Sequence, residues 1–167
     1  IDDVRGLWSF KNHVEDEYFR YIAFTFINET KVLGLEDANL EEKLIPGLEV
    51  DSRTLFCGNF YENTIIQALG AEIRLIHLEK GLVSKWSPPN GGSVVNCLPT
   101  QNQVLVALAH GNLLSLCPQT DGSLNQQASL HFGDEISAVT TTGSLCAVAL
   151  WQDMSIRLLT FDTLQEI

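Results

Sequence analysis

Leu108-Ala109-His110-Gly111-Asn112-Leu113-Leu114 sets two apolar runs on either side of a short break of turn-forming residues, the pattern of a tight antiparallel hairpin. The same figure recurs at Phe26-Ile27-Asn28-Glu29-Thr30-Lys31-Val32-Leu33, at Leu69-Gly70-Ala71-Glu72-Ile73-Arg74-Leu75 and at Leu150-Trp151-Gln152-Asp153-Met154-Ser155-Ile156-Arg157-Leu158. Counted between Val32, Ile73, Leu113 and Ile156, the steps are 41, 40 and 43 residues. An apolar run precedes each hairpin: Arg5 to Phe10, Thr54 to Phe60, Ser93 to Leu98, Glu135 to Thr140. A more polar run follows each: Leu40 to Ile45, Leu82 to Trp86, Leu124 to Leu130, Thr163 to Ile167. Four strands per repeat at this period is the arithmetic of a β-propeller blade, with apolar inner strands and a wet outermost one. The chain reads as all-β, four blades at about 1–50, 51–92, 93–134 and 135–167. The Trp-Asp and Gly-His pairs of true WD repeats are missing, so the blades are WD-like and divergent. A ring sealed at four blades needs a clasp, and no cysteine pair or shared strand supplies one, so the chain is expected to be part of a larger ring with uncovered first and last faces.

Composition narrows the function. The 167 residues are 45% hydrophobic and 19% charged, enough apolar material for a packed core and too much for a disordered tail. Ten Lys and Arg face 21 Asp and Glu, a net charge of −11, so direct contact with a nucleic-acid backbone would work against the chain's own field. The longest apolar stretches, such as Val104 to Ala109, are far too short to span a bilayer, and no leader opens the sequence; no membrane partner is expected. Cys57, Cys97, Cys117 and Cys146 form no C-x-x-C pair and sit in strand-like runs, as reduced thiols of a reducing compartment do.

No catalytic motif is present: no G-x-S-x-G, no phosphate loop, no G-x-G-x-x-G, no H-E-x-x-H. His13, His77, His110 and His131 stand at unrelated spacings, and His110, before a glycine, reads as a turn residue. The acidic clusters Glu15-Asp16-Glu17, Glu36-Asp37, Glu41-Glu42 and Asp134-Glu135 lack calcium-loop spacing, and most read as solvated loop charges. Asn28-Glu29-Thr30 matches a glycosylation sequon but falls in a hairpin turn of a chain read as non-secreted. Arg74 and Arg157 hold the same place in two blades and are expected to pair with acids or carbonyls of a neighbouring blade. Asp153 is expected to cap the turn beside Trp151. Trp8, Trp86 and Trp151 border strands, where a tryptophan is either core or the exposed anchor of an interface. No catalytic residue, metal ligand or cofactor is assigned, and an enzyme is not expected.

Several segments carry a resemblance: Gly6-Leu7-Trp8-Ser9, Thr54-Leu55-Phe56-Cys57-Gly58-Asn59, Ile73-Arg74-Leu75-Ile76, Leu82-Val83-Ser84-Lys85-Trp86, and the run from Leu145 to Arg157. In order and in blade register, they resemble the family of large propeller subunits found in damaged-DNA-binding, cleavage-and-polyadenylation and splicing factors, the damaged-DNA-binding branch above all. Leu-Phe-Cys-Gly-Asn and Leu-Cys-Ala-x-x-Leu-Trp-x-Asp-x-Ser-x-Arg are the most specific segments. The resemblance implies a chain of three seven-bladed propellers, of which this is the first part of the middle one. It also implies a non-enzymatic adaptor, nuclear and also cytoplasmic, that docks the amino-terminal domain of a type-four cullin within a ubiquitin ligase of the DNA-damage response. Substrate receptors would be held by the other propellers of the same chain. The cullin-facing positions it implies here are Glu135 and Trp151. A scaffold subunit of an RNA-processing complex is the alternative within the same family. Departures from the family pattern are the short loop Thr141-Thr142-Gly143-Ser144, with Ala149 and Gln152 in place of Gly and Thr.

Overall fold

Runs covered on both faces read as continuous apolar strands, and half-covered runs alternate; both kinds pair antiparallel along this chain. The computed structural model describes residues 3–13, 16–61, 63–100 and 102–167 and divides into two units, 1–86 and 87–167. In the first unit, β1 (Gly6–Phe10), β2 (Tyr21–Thr25), β3 (Thr30–Glu36) and β4 (Asn39–Glu42) form one sheet in chain order. A second sheet follows: β5 (Thr54–Asn59), β6 (Thr64–Leu69), β7 (Ile73–His77) and β8 (Leu82–Trp86). Phe10, Ala23, Val32, Leu48, Cys57, Ile65 and Ile76 form the core of this unit, and Phe10 stacks on Tyr21 at 5.2 Å. In the second unit, β9 (Val94–Pro99), β10 (Val104–Leu108), β11 (Asn112–Pro118) and β12 (Leu124–His131) form a third sheet, and β13 (Ile136–Thr142), β14 (Leu145–Leu150) and β15 (Ile156–Thr160) a fourth.

The first three sheets are propeller blades of the expected kind, with four antiparallel strands each. β6 and β10, second in their blades, are buried along their whole length, whereas β4 is exposed throughout and β12 mostly polar and wet. The fourth blade departs from expectation: Thr163 to Ile167 forms no full strand, only a bridge between Leu159 and Glu166. The reason is Leu164, which buries its side chain in the core of this unit from a left-handed backbone (φ 54°) and bonds its amide to the Thr160 carbonyl, turning the chain where a strand would begin.

The cysteines are all free thiols, with Cys57, Cys97 and Cys146 buried; burial pushes the Cys57 thiol up to about 12.

Blades one and two are tied by buried polar groups. Thr30 Oγ1 and Thr54 Oγ1 lie 2.8 Å apart, the Thr54 amide donates to Thr25 Oγ1 at 2.9 Å, and Gln67 Nε2 donates to Thr54 Oγ1 at 2.8 Å. Gln67 also clasps the connector between the blades, donating to the Glu49 carbonyl and accepting from the Glu49 amide, both at 2.8 Å. Arg74 reinforces the same connector, donating to the Gly47 carbonyl at 3.1 Å and to Glu49 Oε2 at 2.8 Å, and it pairs with Glu72 at 2.6 Å. This is the structural pairing expected of Arg74. Burial alone would raise the Glu72 carboxyl, but its bonds to Arg74 and Lys85 outweigh that and hold it below its ordinary value.

Replacing Gln67 with Leu strands the Glu49 amide and carbonyl and should cost about 2–4 kcal/mol in denaturant unfolding. The faster amide exchange should appear in β5 and β6 and not in β13 to β15. Because the Glu72 value is lowered on folding, its contribution is complete above the ordinary carboxylate range and is lost as pH falls through the folded value. An acid titration of stability should therefore be flatter in Glu72→Gln than in the parent.

Candidate functional site

The sequence leaves each tryptophan open between core and anchor, and the structure separates them. Trp8 and Trp86 are half-buried; Trp8 packs on the first core and meets Phe56 edge-on at 6.4 Å. Trp151 is 72% exposed, so it contributes little to the core. It begins the connection from β14 to β15, residues 151–155, which also carries Met154 at 88% exposure.

That connection is held from beneath by the segment joining β12 to β13. The Trp151 amide donates to the Glu135 carbonyl at 2.9 Å. The Asp134 carboxylate accepts from the Gln152 amide at 3.1 and 3.0 Å and from the Asp153 amide at 3.0 Å. Asp134 is 9% exposed, so the reading of Asp134-Glu135 as solvated loop charges is corrected: the first acid is buried as a backbone cap. The second is half-exposed and accepts from the His110 amide at 3.0 and 3.1 Å, bracing the turn of the preceding blade. His110 occupies that turn with φ 65°, as its sequence context suggests. Next to it Gly111 has φ 77°, and a side chain there would run into the Asp134 carbonyl, so glycine is required. Of the other acidic clusters, Asp16 accepts from the His13 amide at 3.0 Å, and Glu15 lies outside the described residues.

Asp153 braces the connection, while the capping of its amides falls to Asp134. The Asp153 Oδ2 accepts from Ser155 Oγ at 2.8 Å and from Arg157 Nη2 at 3.0 Å. The Ser155 bond, then Arg157, lowers its carboxyl from the ordinary value. Arg157 also donates to Glu166 at 3.0 Å, so both its acid partners lie within its own blade, not in a neighbouring one as expected. A shallow cleft of about 320 Å³ lies beside these groups, lined by His110, His131, Gly133, Asp134, Glu135 and Gln152. Among the described residues, no group of three or more His, Cys, Asp or Glu is placed to hold a metal ion. The sequence suggests Glu135 and Trp151 through resemblance; it does not reveal Asp134, whose partners lie 18 and 19 residues away.

Antiparallel blades repeated at a fixed period, with a bonded rim that presents an aromatic residue, define a WD-like β-propeller of the scaffold type. The chain belongs to the family described as the RSE1/DDB1/CPSF1 second beta-propeller, whose model matches residues 1–167. It is similar to DNA damage-binding protein 1 of Oryza sativa subsp. japonica, 33% identical over 100% of this chain and 16% of that protein. It is also similar to DNA damage-binding protein 1 of Solanum lycopersicum, at 31%, and DNA damage-binding protein 1b of Arabidopsis thaliana, at 29%, each match covering 95% of this chain and 15% of the relative. The chain thus spans about a sixth of the length of these curated relatives.

Asp134→Ala should leave the Gln152 and Asp153 amides without their acceptor, at a cost of about 1–3 kcal/mol. Hydrogen exchange is expected to quicken at residues 151–155 and to stay at parental rates in β5 to β7.

Proposed function

We propose that this chain is part of a non-enzymatic adaptor propeller that docks the amino-terminal domain of a type-four cullin, linking a ubiquitin ligase to receptors held elsewhere in the longer chain, in nuclear and also cytoplasmic DNA-damage responses. One observation carries the reading: Trp151, 72% exposed, stands on a connection whose amides are bonded to Glu135 and Asp134. A large aromatic held rigidly in water loses little entropy on binding and gains the burial of its ring, the usual behaviour of an interface hot spot. The name shared by the relatives, DNA damage-binding protein 1, supports the damaged-DNA-binding branch over the RNA-processing one. The net charge of −11 favours a protein partner over DNA for this segment.

Further blades of the longer chain would cover the outer face of the fourth sheet, where Ala138, Ala149 and Ile156 align across one row and Thr140, Ala147 and Leu158 across the next. Ile156 and Leu158 are 70% and 51% exposed there.

The test is calorimetric titration of full-length protein with the cullin amino-terminal domain. Trp151→Ala is expected to weaken binding by more than about tenfold. Glu135→Ala should also weaken it, while loosening the His110 turn, which amide exchange at residues 110–112 would register. Undiminished affinity in the double variant overturns the site.

A further inference from the structure

At the end of the second unit opposite the Trp151 connection, a cleft of about 670 Å³ opens between the third and fourth blades. Asn102 and Gln103 line it from the β9–β10 loop, Thr141 and Thr142 from the end of β13, and Phe161 and Asp162 from the turn after β15. Backbone bonds fix these walls. The Phe161 amide donates to the Ser144 carbonyl and the Thr100 amide to the Gln103 carbonyl, both at 2.8 Å. One wall belongs to the short loop in which this chain departs from the family pattern.

The cleft holds acceptors that lack donors. Gln103 Nε2 donates to Gln127 Oε1 at 3.2 Å, whereas Gln103 Oε1 is buried with no partner. Leaving a buried acceptor unmade is costly, and a turn of this side chain at the cleft wall would bring it to a donor. The other carboxylates of residues 87–167 are engaged: Asp121 by Ser123, Asp134 by the Gln152 and Asp153 amides, Glu135 by the His110 amide, Asp153 and Glu166 by Arg157. Among the described residues of this unit, Asp162 is the carboxylate without a donor, and it is exposed. The side chains of Asn102, Thr141 and Thr142 are likewise unpartnered among the described residues. Arg157 is the one Lys or Arg between residues 87 and 167, and its acid partners are Asp153 and Glu166. An anion entering the cleft would find no counter-charge there; a cation with several N–H groups would meet a free carboxylate and several free oxygens.

We propose that this cleft is a binding site for an alkyl guanidinium, the side chain of an arginine, with Asp162 as its counter-charge and Asn102, Gln103, Thr141 and Thr142 as neutral acceptors. A metal ion would need its ligands gathered about one point, and among the described residues no three His, Cys, Asp or Glu are so gathered. An ammonium is a compact, strongly hydrated charge, whereas a guanidinium is more weakly hydrated and spreads five N–H groups over a planar fork, which suits acceptors placed along a wall. Its three methylenes can lie on apolar surface, which Phe161 supplies. The site is separate from the docking proposed for the Trp151 region and does not rest on it.

The experiment is calorimetric titration of full-length protein with free L-arginine and with the capped peptide acetyl-Gly-Arg-Gly-amide. Each has a citrulline counterpart, which keeps the shape and loses the charge, and trehalose serves as a neutral polyol. Binding of either arginine probe, with its citrulline counterpart weaker by about tenfold or more, is the expected result. Binding of L-arginine alone assigns the site to the free amino acid; tighter binding of the peptide assigns it to an arginine within a protein chain. Asp162→Asn should weaken the bound probe by about tenfold or more and Thr142→Val by about threefold, each with parental thermal unfolding. Trp151→Ala should leave the affinity for that probe unchanged. Equal affinity for arginine and citrulline, parental affinity in Asp162→Asn, or no binding of either arginine probe, with or without binding of trehalose, overturns the proposal.

Discussion

Hydrogen bonds from the connector between successive blades are the interaction on which the rest depends. Apolar burial between two sheets is non-directional, and faces as uniform as those of β6 and β10 could slide by a residue at little cost. Connectors remove that freedom. In the first unit Gln67 grips both polar groups of Glu49 while Thr30 reaches the Ser52 carbonyl at 2.8 Å. In the second, two adjacent acids share this role, Glu135 holding the turn of the third blade and Asp134 that of the fourth. Each such bond is modest alone, but leaving its buried partner unmade is expensive, so the registers are chosen by what the wrong ones would strand.

The same bonds bear on the docking proposed for this surface. A connection fastened to its neighbour through three amides has little backbone freedom left to lose, which would lower the entropic cost of the docking proposed for it. The acids that fasten it also colour its field, since Arg157 is drawn into its own blade. Structure and the proposed recognition therefore draw on one set of residues, and a substitution at Glu135 is expected to alter both.

What the sequence discloses follows from which forces are local. Hairpins around Gly70, His110 and Gln152 are legible because turn chemistry and apolar runs sit side by side, and the repeat places each in its blade. The outermost strand of the fourth blade is expected from the repeat and absent from the structure, because the burial of Leu164, which turns the chain, is set by neighbours distant in sequence. Asp134 reads as a solvated charge for a similar reason: a carboxylate that caps amides 18 residues later looks identical, in sequence, to one in water. The exposure of Trp151 is equally silent, and resemblance alone singles it out from Trp8 and Trp86.

The buried thiols have a practical corollary. Burial pushes the thiols of Cys57, Cys97 and Cys146 up, which keeps them protonated and unreactive at neutral pH. Maleimide chemistry on this segment has only Cys117 to compete with a cysteine introduced on the rim. The blades thus come close to a blank background for site-directed fluorophores, on which the arrival of a partner can be followed one position at a time.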